Sequence, residues 1–267
     1  MEYIINTTQF EQMKDNKIIG MPKLKDSELT FHGKNNILVC DHNVELDGAT
    51  LDFNGNNSLV YLGSNLKNGF KLRIYSNSTA FFGRDIDMGD SITINVFENQ
   101  NVVIGADCFI GDNVYISNSD GYPIYTCDTK ERVNYSRSIF IGDHVFLGHN
   151  VYISKGTKLG SGSIVDNASF IPSFAKIKSH SYLSGNPAKI IRNNVFFTKD
   201  FLGPFTTEDS VNSKNYKSDV FIYNVVDQET LDIGQIDKIL NDLDVESRWE
   251  FIQKLFIYNK RKNRFSI

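Results

Sequence analysis

One position in every six decides what this chain can fold into. Aliphatic residues stand at Ile141, Leu147, Ile153, Leu159, Val165, Ile171, Ile177 and Leu183, six apart at every step. Four positions after each of the first seven comes a small or β-branched residue: Val145, Val151, Thr157, Ser163, Ser169, Ala175 and Ser181. Gly follows the aliphatic residue at 142, 148 and 160. The same register appears earlier at Ile104, Ile110 and Ile116, with Cys108 and Val114 in the small slot. A helix needs a period of 3.6 and a plain strand a period of two. A period of six fits a chain that turns a corner every six residues, so that three hexapeptides close one triangular coil. The aliphatic side chain points inward from each side and the small one fills the crowded inside of a corner. Neighbouring coils pair as parallel strands, and stability comes from stacking, as in other solenoids. A sandwich of ordinary short strands would not hold its hexads in phase.

The N-terminal half repeats less strictly. Leu62 and Ile74, Phe82 and Ile94, and Ile104 and Ile116 are each twelve apart, and successive sets begin 20 and 22 residues on. A perfect coil would take 18, so these coils carry short corner insertions, drawn from polar stretches such as Asn54-Gly55-Asn56-Asn57-Ser58. The expected organisation is an N-terminal cap over 1–34, a solenoid over 35–192 and a C-terminal extension over 193–267. A loop over 117–138 is ejected from the solenoid, because 25 residues separate Ile116 from Ile141 where six would suffice. Long loops on rigid scaffolds usually carry function. In the extension, Asp219–Val225 has strand character, and Ile236–Leu243 and Val245–Tyr258 have helical spacing. A cap over an open solenoid end would hide unpaired strand edges; a substrate-selecting lid or a partner surface is the other reading.

Charge and cysteine usage exclude several classes. The formal net charge is −4, so no broad basic field draws nucleic acid. Cys40, Cys108 and Cys127 are odd in number and follow no metal-ligand spacing, which favours unpaired thiols in a reducing compartment. Residues 1–30 hold no apolar signal core and no run of about 20 apolar residues exists to span a membrane. The expectation is a cytoplasmic protein.

The hexapeptide runs, the stretch Ile141-Gly142-Asp143-His144-Val145-Phe146-Leu147-Gly148 and the ending Ser184-Gly185-Asn186-Pro187-Ala188-Lys189-Ile190-Ile191-Arg192 resemble the hexapeptide-repeat acyltransferases, within them the sugar and surface-polysaccharide acetyltransferases. The resemblance is strong over about 100–197, loose over 35–100 and absent after 200. It implies a mainly β fold, a left-handed parallel β-helix, an unusual hand for parallel crossovers. It further implies a homotrimer with active sites between subunits, an acyl-CoA co-substrate in the groove between two prisms and a sugar acceptor near the ejected loop. Relatives usually carry Ser-Asp-x-His at the start of the loop, the histidine being the general base. Here Ser119-Asp120-Gly121 is followed by Tyr122, and Phe146 and Phe196 stand where relatives carry Trp.

Acyl transfer from a thioester needs a positioned nucleophile, a proton acceptor and donors for the developing oxyanion. A sugar hydroxyl needs a base in the transition state; a neutral sugar amine is already nucleophilic. The lost imidazole therefore moves weight toward N-acylation or toward another base. Four catalytic candidates remain. Asp120 at the loop mouth is a base or an orienter of the acceptor, or only an Asx-turn residue. Tyr122 is a proton shuttle, hampered by an ordinary pKa near 10, or an aromatic wall. His144 is a scaffold hydrogen-bonder or a base, and His149 is a base presented to another subunit. For the co-substrate, backbone amides near Gly148, Ser154 and Ala168 would bond the pantetheine, Phe146 would give an apolar surface, and Lys155, Lys189 and Arg192 would meet the phosphates. No metal is called for, since a zinc enzyme on this solenoid needs three converging histidines. The competing reading is a catalytically weakened homologue that binds glycan or coenzyme A.

Overall fold

The computed structural model describes residues 1–267 and shows a left-handed, three-sided parallel β-helix of about 8 turns. The first face runs in sheet order through Glu28–Phe31, Thr50–Phe53, Phe70–Ile74, Ile92–Val96, Tyr115–Ser117, Tyr152–Ile153 and Phe170–Ile171. The second runs through Lys17–Ile19, Ile37–Cys40, Leu59–Leu62, Thr79–Phe82, Asn101–Ile104, Ile139–Ile141, Lys158–Leu159 and Lys176–Ile177. The third face comprises two sheets, a pair formed by Lys23–Lys25 and Glu45–Asp47, then a run from Asp87–Met88 to Ser181–Gly185. An antiparallel strand, Ala188–Asn193, closes that run.

The hexad aliphatics line one inner column. Ile104, Ile110, Ile116, Ile141, Leu147, Ile153, Leu159, Val165, Ile171 and Leu183 are at most 1 % exposed. Burying each such side chain contributes about 1.5–3 kcal/mol. The column begins before the expected residue 35. Lys17–Ile19 is already parallel to Ile37–Val39, and Glu28–Phe31 to Thr50–Phe53, with Phe31 stacked on Phe53 at 4.4 Å. These first coils lack the hexad signature because their corners are longer and their inward residues include Phe. Only Glu2–Ile4, laid antiparallel on Glu28–Phe31, and the 3-10 turn Thr7–Gln12 precede the column.

Each corner turns through a residue in the left-handed region, and at two corners these residues are linked by side-chain ladders. Asn35, Asn57, Asn77 and Asn99, at neighbouring positions of one corner column, have φ of 57°, 57°, 55° and 54° respectively. Their amides bond rung to rung at 2.9, 3.1 and 3.1 Å. This is the corner between the first and second faces, and the ladder stops where the ejected loop leaves. Between the second and third faces a column runs Asn43, Asn65, Asp85, Asp107 and His144. Asn and Asp tolerate this conformation better than other residues with a Cβ.

The C-terminal extension lies on a flank rather than on an open end. Two helices, α1 (Thr207–Asn212) aside, form its packed part: α2 (Ile233–Asp242) and α3 (Val245–Ile252). Ile236, Leu240, Val245 and Ile252 pack on the outward side chains of the second face, among them Leu59, Tyr61, Phe81, Val103 and Phe140. That face is apolar on both sides, so its strands must be covered. Asp219–Val225 forms no strand; it runs as a strap along a corner. Two buried arginines fasten the extension. Arg248 donates to the carbonyl of Ser78 at 3.1 Å and to that of Asn57. Arg264 forks onto Asp143 through two bonds of 2.9 Å. Leu240→Ala should loosen this docking by roughly 2–5 kcal/mol. Hydrogen exchange should rise in α2 and α3 and leave the strands over 139–183 protected.

Candidate functional site

The ejected segment is an ordered arm, held at the corner between the first and second faces. Asn118 seals its exit: its side chain accepts from the amide of Phe97 at 2.8 Å and donates to the Phe97 carbonyl at 3.1 Å. Across the arm Val133 N donates to Ile124 O at 2.9 Å and Thr126 N to Glu131 O at 3.0 Å. Glu98, one rung back, anchors the return. It accepts two bonds from the Arg132 guanidinium at 2.5 and 2.8 Å and one from the Ser136 hydroxyl at 2.5 Å. The Arg132 charge, with help from Ser136 and against the opposing effect of burial, holds the Glu98 carboxyl down at about 2.

Inside the mouth a buried lysine pairs with an exposed carboxylate. Lys155 is 7 % exposed and its ammonium bonds the Asp120 carboxylate. Asn134, also buried, donates to the same carboxylate oxygen at 2.8 Å and to the Tyr122 carbonyl at 2.8 Å. Burial works against ionisation of Asp120, but Lys155 and Asn134 outweigh it and keep the carboxyl below the usual carboxylate range. Asp120 is therefore a fixed anion at the loop mouth, better suited to accept a hydrogen bond than to store a proton. Tyr122 beside it is 83 % exposed.

The four catalytic candidates fall at three different corners. Asp120 and Tyr122 share the loop corner. His149 lies between the third and first faces, half-exposed, its Nδ1 accepting from the Asp112 amide at 2.9 Å. His144 lies between the second and third faces and is fully buried. Its Nδ1 meets Asp107 at 2.6 Å, its Nε2 meets the Phe197 carbonyl at 2.9 Å, and its ring is sandwiched between Phe197 and Phe221 at 4.1 and 4.0 Å. A ring so enclosed reaches no substrate, so of the two readings of His144 the base is corrected and the scaffold role stands: this histidine ties the strap to the column. Asp107 also bonds Lys199 at 2.9 Å. Burial opposes its ionisation, but His144 and Lys199 overcome that and lower its pKa.

The co-substrate set is also revised. The amides of Gly148, Ser154 and Ala168 donate to Val165, Ile171 and His149 carbonyls at 2.9, 3.1 and 2.8 Å. These donors are taken up by neighbouring rungs, the next one for Gly148 and Ser154 and the preceding one for Ala168, so they are not open to pantetheine. Lys155 is consumed by Asp120 and does not face a phosphate. Lys189 and Arg192 are exposed on the closing strand Ala188–Asn193. Phe146 stands outward on the third face, stacked on Phe109 at 4.8 Å and met edge-on by Phe197 at 5.4 Å.

Sequence reasoning missed Lys155, Asn134 and Glu98 as builders of the mouth. The hexad register held a signal for Lys155. It lies 18 residues after Arg137, one coil on, and Gly156 N bonds Arg137 O at 3.1 Å. Any residue at that phase must border the place where the loop departs. A second feature had no signal in sequence: a cleft of about 680 Å³ between the His144 corner and the C-terminal segment.

A family model described as the hexapeptide repeat of succinyl-transferase matches residues 101–121 and 138–171, leaving out 122–137 of the arm. The structure of the polySia specific acetyltransferase NeuO overlays with a TM-score of 0.65 at 30 % identity, covering 74 % of this chain and 95 % of that one. The polysialic acid O-acetyltransferase OatWY overlays with a TM-score of 0.58 at 24 % identity, covering 75 % of this chain and 96 % of that one. No curated protein matches by sequence. The chain belongs to the hexapeptide-repeat acyltransferases.

The Glu98 anchor has a pH signature. A carboxyl with a lowered pKa contributes stability above its ordinary value of 4.5, and that stability is lost as pH falls through about 2. Amides of 118–138 should be protected at pH 5 and lose protection on acidification, after correction for intrinsic exchange. Glu98→Gln should show the unprotected pattern already at pH 7.

Proposed function

We propose that the protein is an acyl-CoA-dependent sugar acyltransferase that transfers an acetyl group to a hydroxyl or amino group of a cell-surface glycan sugar or nucleotide-linked deoxysugar. The observation that carries this reading is the ordered arm with a fixed Asp120 anion at its mouth, on a solenoid shared with a polysialic acid acetyltransferase at 30 % identity. The acceptor oxygen or nitrogen attacks the thioester carbon, the carbon–sulfur bond breaks, and the acceptor's proton ends on the departing thiolate. Asp120 accepts a hydrogen bond from the attacking group and offsets positive charge that develops on an amine. Lys155 and Asn134 keep the carboxylate in one orientation, which is where a preorganised site draws its advantage. Phe146 gives the co-substrate an apolar surface, and Lys189 and Arg192 meet its phosphates.

The working unit in this reading is a cytoplasmic homotrimer. The arm exposes Tyr122, Ile124, Tyr125, Val133 and Tyr135, an apolar strip of the kind that a second copy covers. An adjacent copy also offers a place for His149, half-exposed at a corner that its own loop does not reach. One observation favours a second reading, a homologue that binds glycan with little turnover: no histidine stands at the loop mouth, where Tyr122 is 83 % exposed.

Release of free thiol from acetyl-CoA, followed with amino-sugar and hydroxyl acceptors side by side, separates these readings. Turnover with either acceptor is expected; binding without turnover would establish the second. Asp120→Ala, which removes this preorganised anion, should lower the rate at least about a hundredfold. A loss of tenfold or less moves the role to His149. Tyr122→His should raise transfer to hydroxyl acceptors.

A further inference from the structure

The cleft at the His144 corner lies apart from the loop mouth, and nothing in the transfer chemistry uses it. Its inner wall is built from successive corners of the column: Asp41 and His42, Ser64 and Asn65, Arg84 and Asp85, Ala106 and Asp107, then Asp143. Five rungs at about 4.8 Å give it a length of roughly 19 Å. The opposite wall is the C-terminal segment, Phe256 to Arg264, with the strap residues Val220, Phe221 and Tyr223 at one end.

Its chemistry differs from an ordinary small-molecule pocket. Only 8 of its 22 lining residues are hydrophobic, whereas drug-sized pockets are mostly apolar. The carboxylates are largely engaged: Asp143 by Arg264 at 2.9 Å, Asp107 by Lys199 at 2.9 Å, and Asp85 by Arg84 at 2.5 Å. Lys260, Arg261 and Lys262 are exposed on the outer wall. Arg261 and Lys262 donate to the backbone carbonyls of Gln228 and Asp219, and no carboxylate pairs with any of the three. A chain of net charge −4 thus has a local excess of positive charge along one polar cleft. The aromatic floor is closed: Tyr61 is 5 % exposed, and Phe81 and Phe256 are each 2 % exposed. Of the lining rings only His42 and, in part, Phe221 stay accessible, too few for a row of stacked bases. Single-stranded nucleic acid needs stacking platforms and an unbroken cationic track. A carboxylated sugar chain has the opposite character, with hydroxyls to donate to Asp41 and Asp85 and spaced acidic groups for the lysines and arginines.

We infer that this cleft is a holding groove for an extended acidic glycan, remote from the transfer site and built jointly by the column and the C-terminal extension. The inference rests on the glycan-acylating reading and names the class of acceptor: a polymer bearing carboxylates. It gives the extension a second purpose beside covering the second face.

Direct binding tests it without turnover. The probes are a fluorescent polysialic acid decamer, a neutral dextran decamer and a decamer of oligothymidylate, with free coenzyme A as competitor. The double variant Arg84→Glu/Lys260→Glu alters exposed side chains, and its thermal unfolding should match the wild type. The wild type should bind the polysialic acid oligomer at least ten times more tightly than dextran, the affinity should fall with salt, and the double variant should lose at least tenfold. No binding by the wild type, unchanged affinity in the variant, equal binding of dextran, tighter binding of oligothymidylate or full displacement by coenzyme A would each overturn the groove. Thiol release with single-sugar acceptors is measured separately. Turnover on those sugars with no polymer binding would sink the groove and leave the transferase reading standing; polymer binding without turnover would do the reverse.

Discussion

Every coil of the column has to turn three times, and each turn passes through a backbone conformation that most residues avoid. Asn, Asp and Gly occupy most of these positions, and where Asn repeats in one column its amide bonds the Asn above it. The inner aliphatics provide the driving force for stacking, but the corners set the register in which they stack. A slip at one corner would carry an inward residue out to the surface. The loop mouth and the cleft both depend on this constraint, because both are built from consecutive corners. The asparagine ladder at the loop corner ends at Asn99, and the arm leaves one rung later. At the next corner the Asn and Asp column continues into His144, so the ladder bond becomes an imidazole–carboxylate contact. His144 is thereby a structural successor to the asparagines before it.

The second face shows how the extension became part of the scaffold. Its outward residues are as apolar as its inward ones, with Leu59, Val60, Tyr61 and Leu62 all buried along a single strand. A face of that kind left bare would be an aggregation site. Helices α2 and α3 cover it, and Arg248 and Arg264 satisfy buried carbonyls and a carboxylate that the column alone leaves open. Once docked, the same segment lines the cleft with Lys260, Arg261 and Lys262. Burial and ligand contact thus come from opposite sides of one piece of chain.

Charge pairing divides the candidate residues into those that hold and those that face outward. Lys155, Asn134 and Glu98 hold the arm and its carboxylate; Asp107 holds His144, which stacks on the strap, and Lys199. Tyr122, His149, Lys189 and Arg192 remain open to solvent. An ionised Asp120 between an ammonium and an amide is a preorganised acceptor of hydrogen bonds, at the expense of strength as a base. The absence of imidazole from the loop mouth and the presence of this ordered anion are two sides of one arrangement.

Much of the column was legible in the residues themselves. The six-residue period forced a triangular coil, placed the loop between Ile116 and Ile141, and named inward residues that are buried throughout 104–183. Those facts are local and repetitive, and a period is a property of sequence alone. The start of the column escaped, since its early coils use Phe31 and Phe53 and longer corners that break the period. The site was only half visible. Asp120 and the loop could be named, but their partners are brought in from 35 residues away by Lys155 and from 14 by Asn134. His144 read as a candidate base until Phe197 and Phe221 closed over it. The cleft was invisible, because residues 41–143 and 256–264 meet only when a tail with no repeat of its own docks on the flank. Sequence determined what stacks, since stacking needs only like residues at a fixed interval; tertiary structure decided which charges meet, since pairing needs atoms from distant segments at one corner.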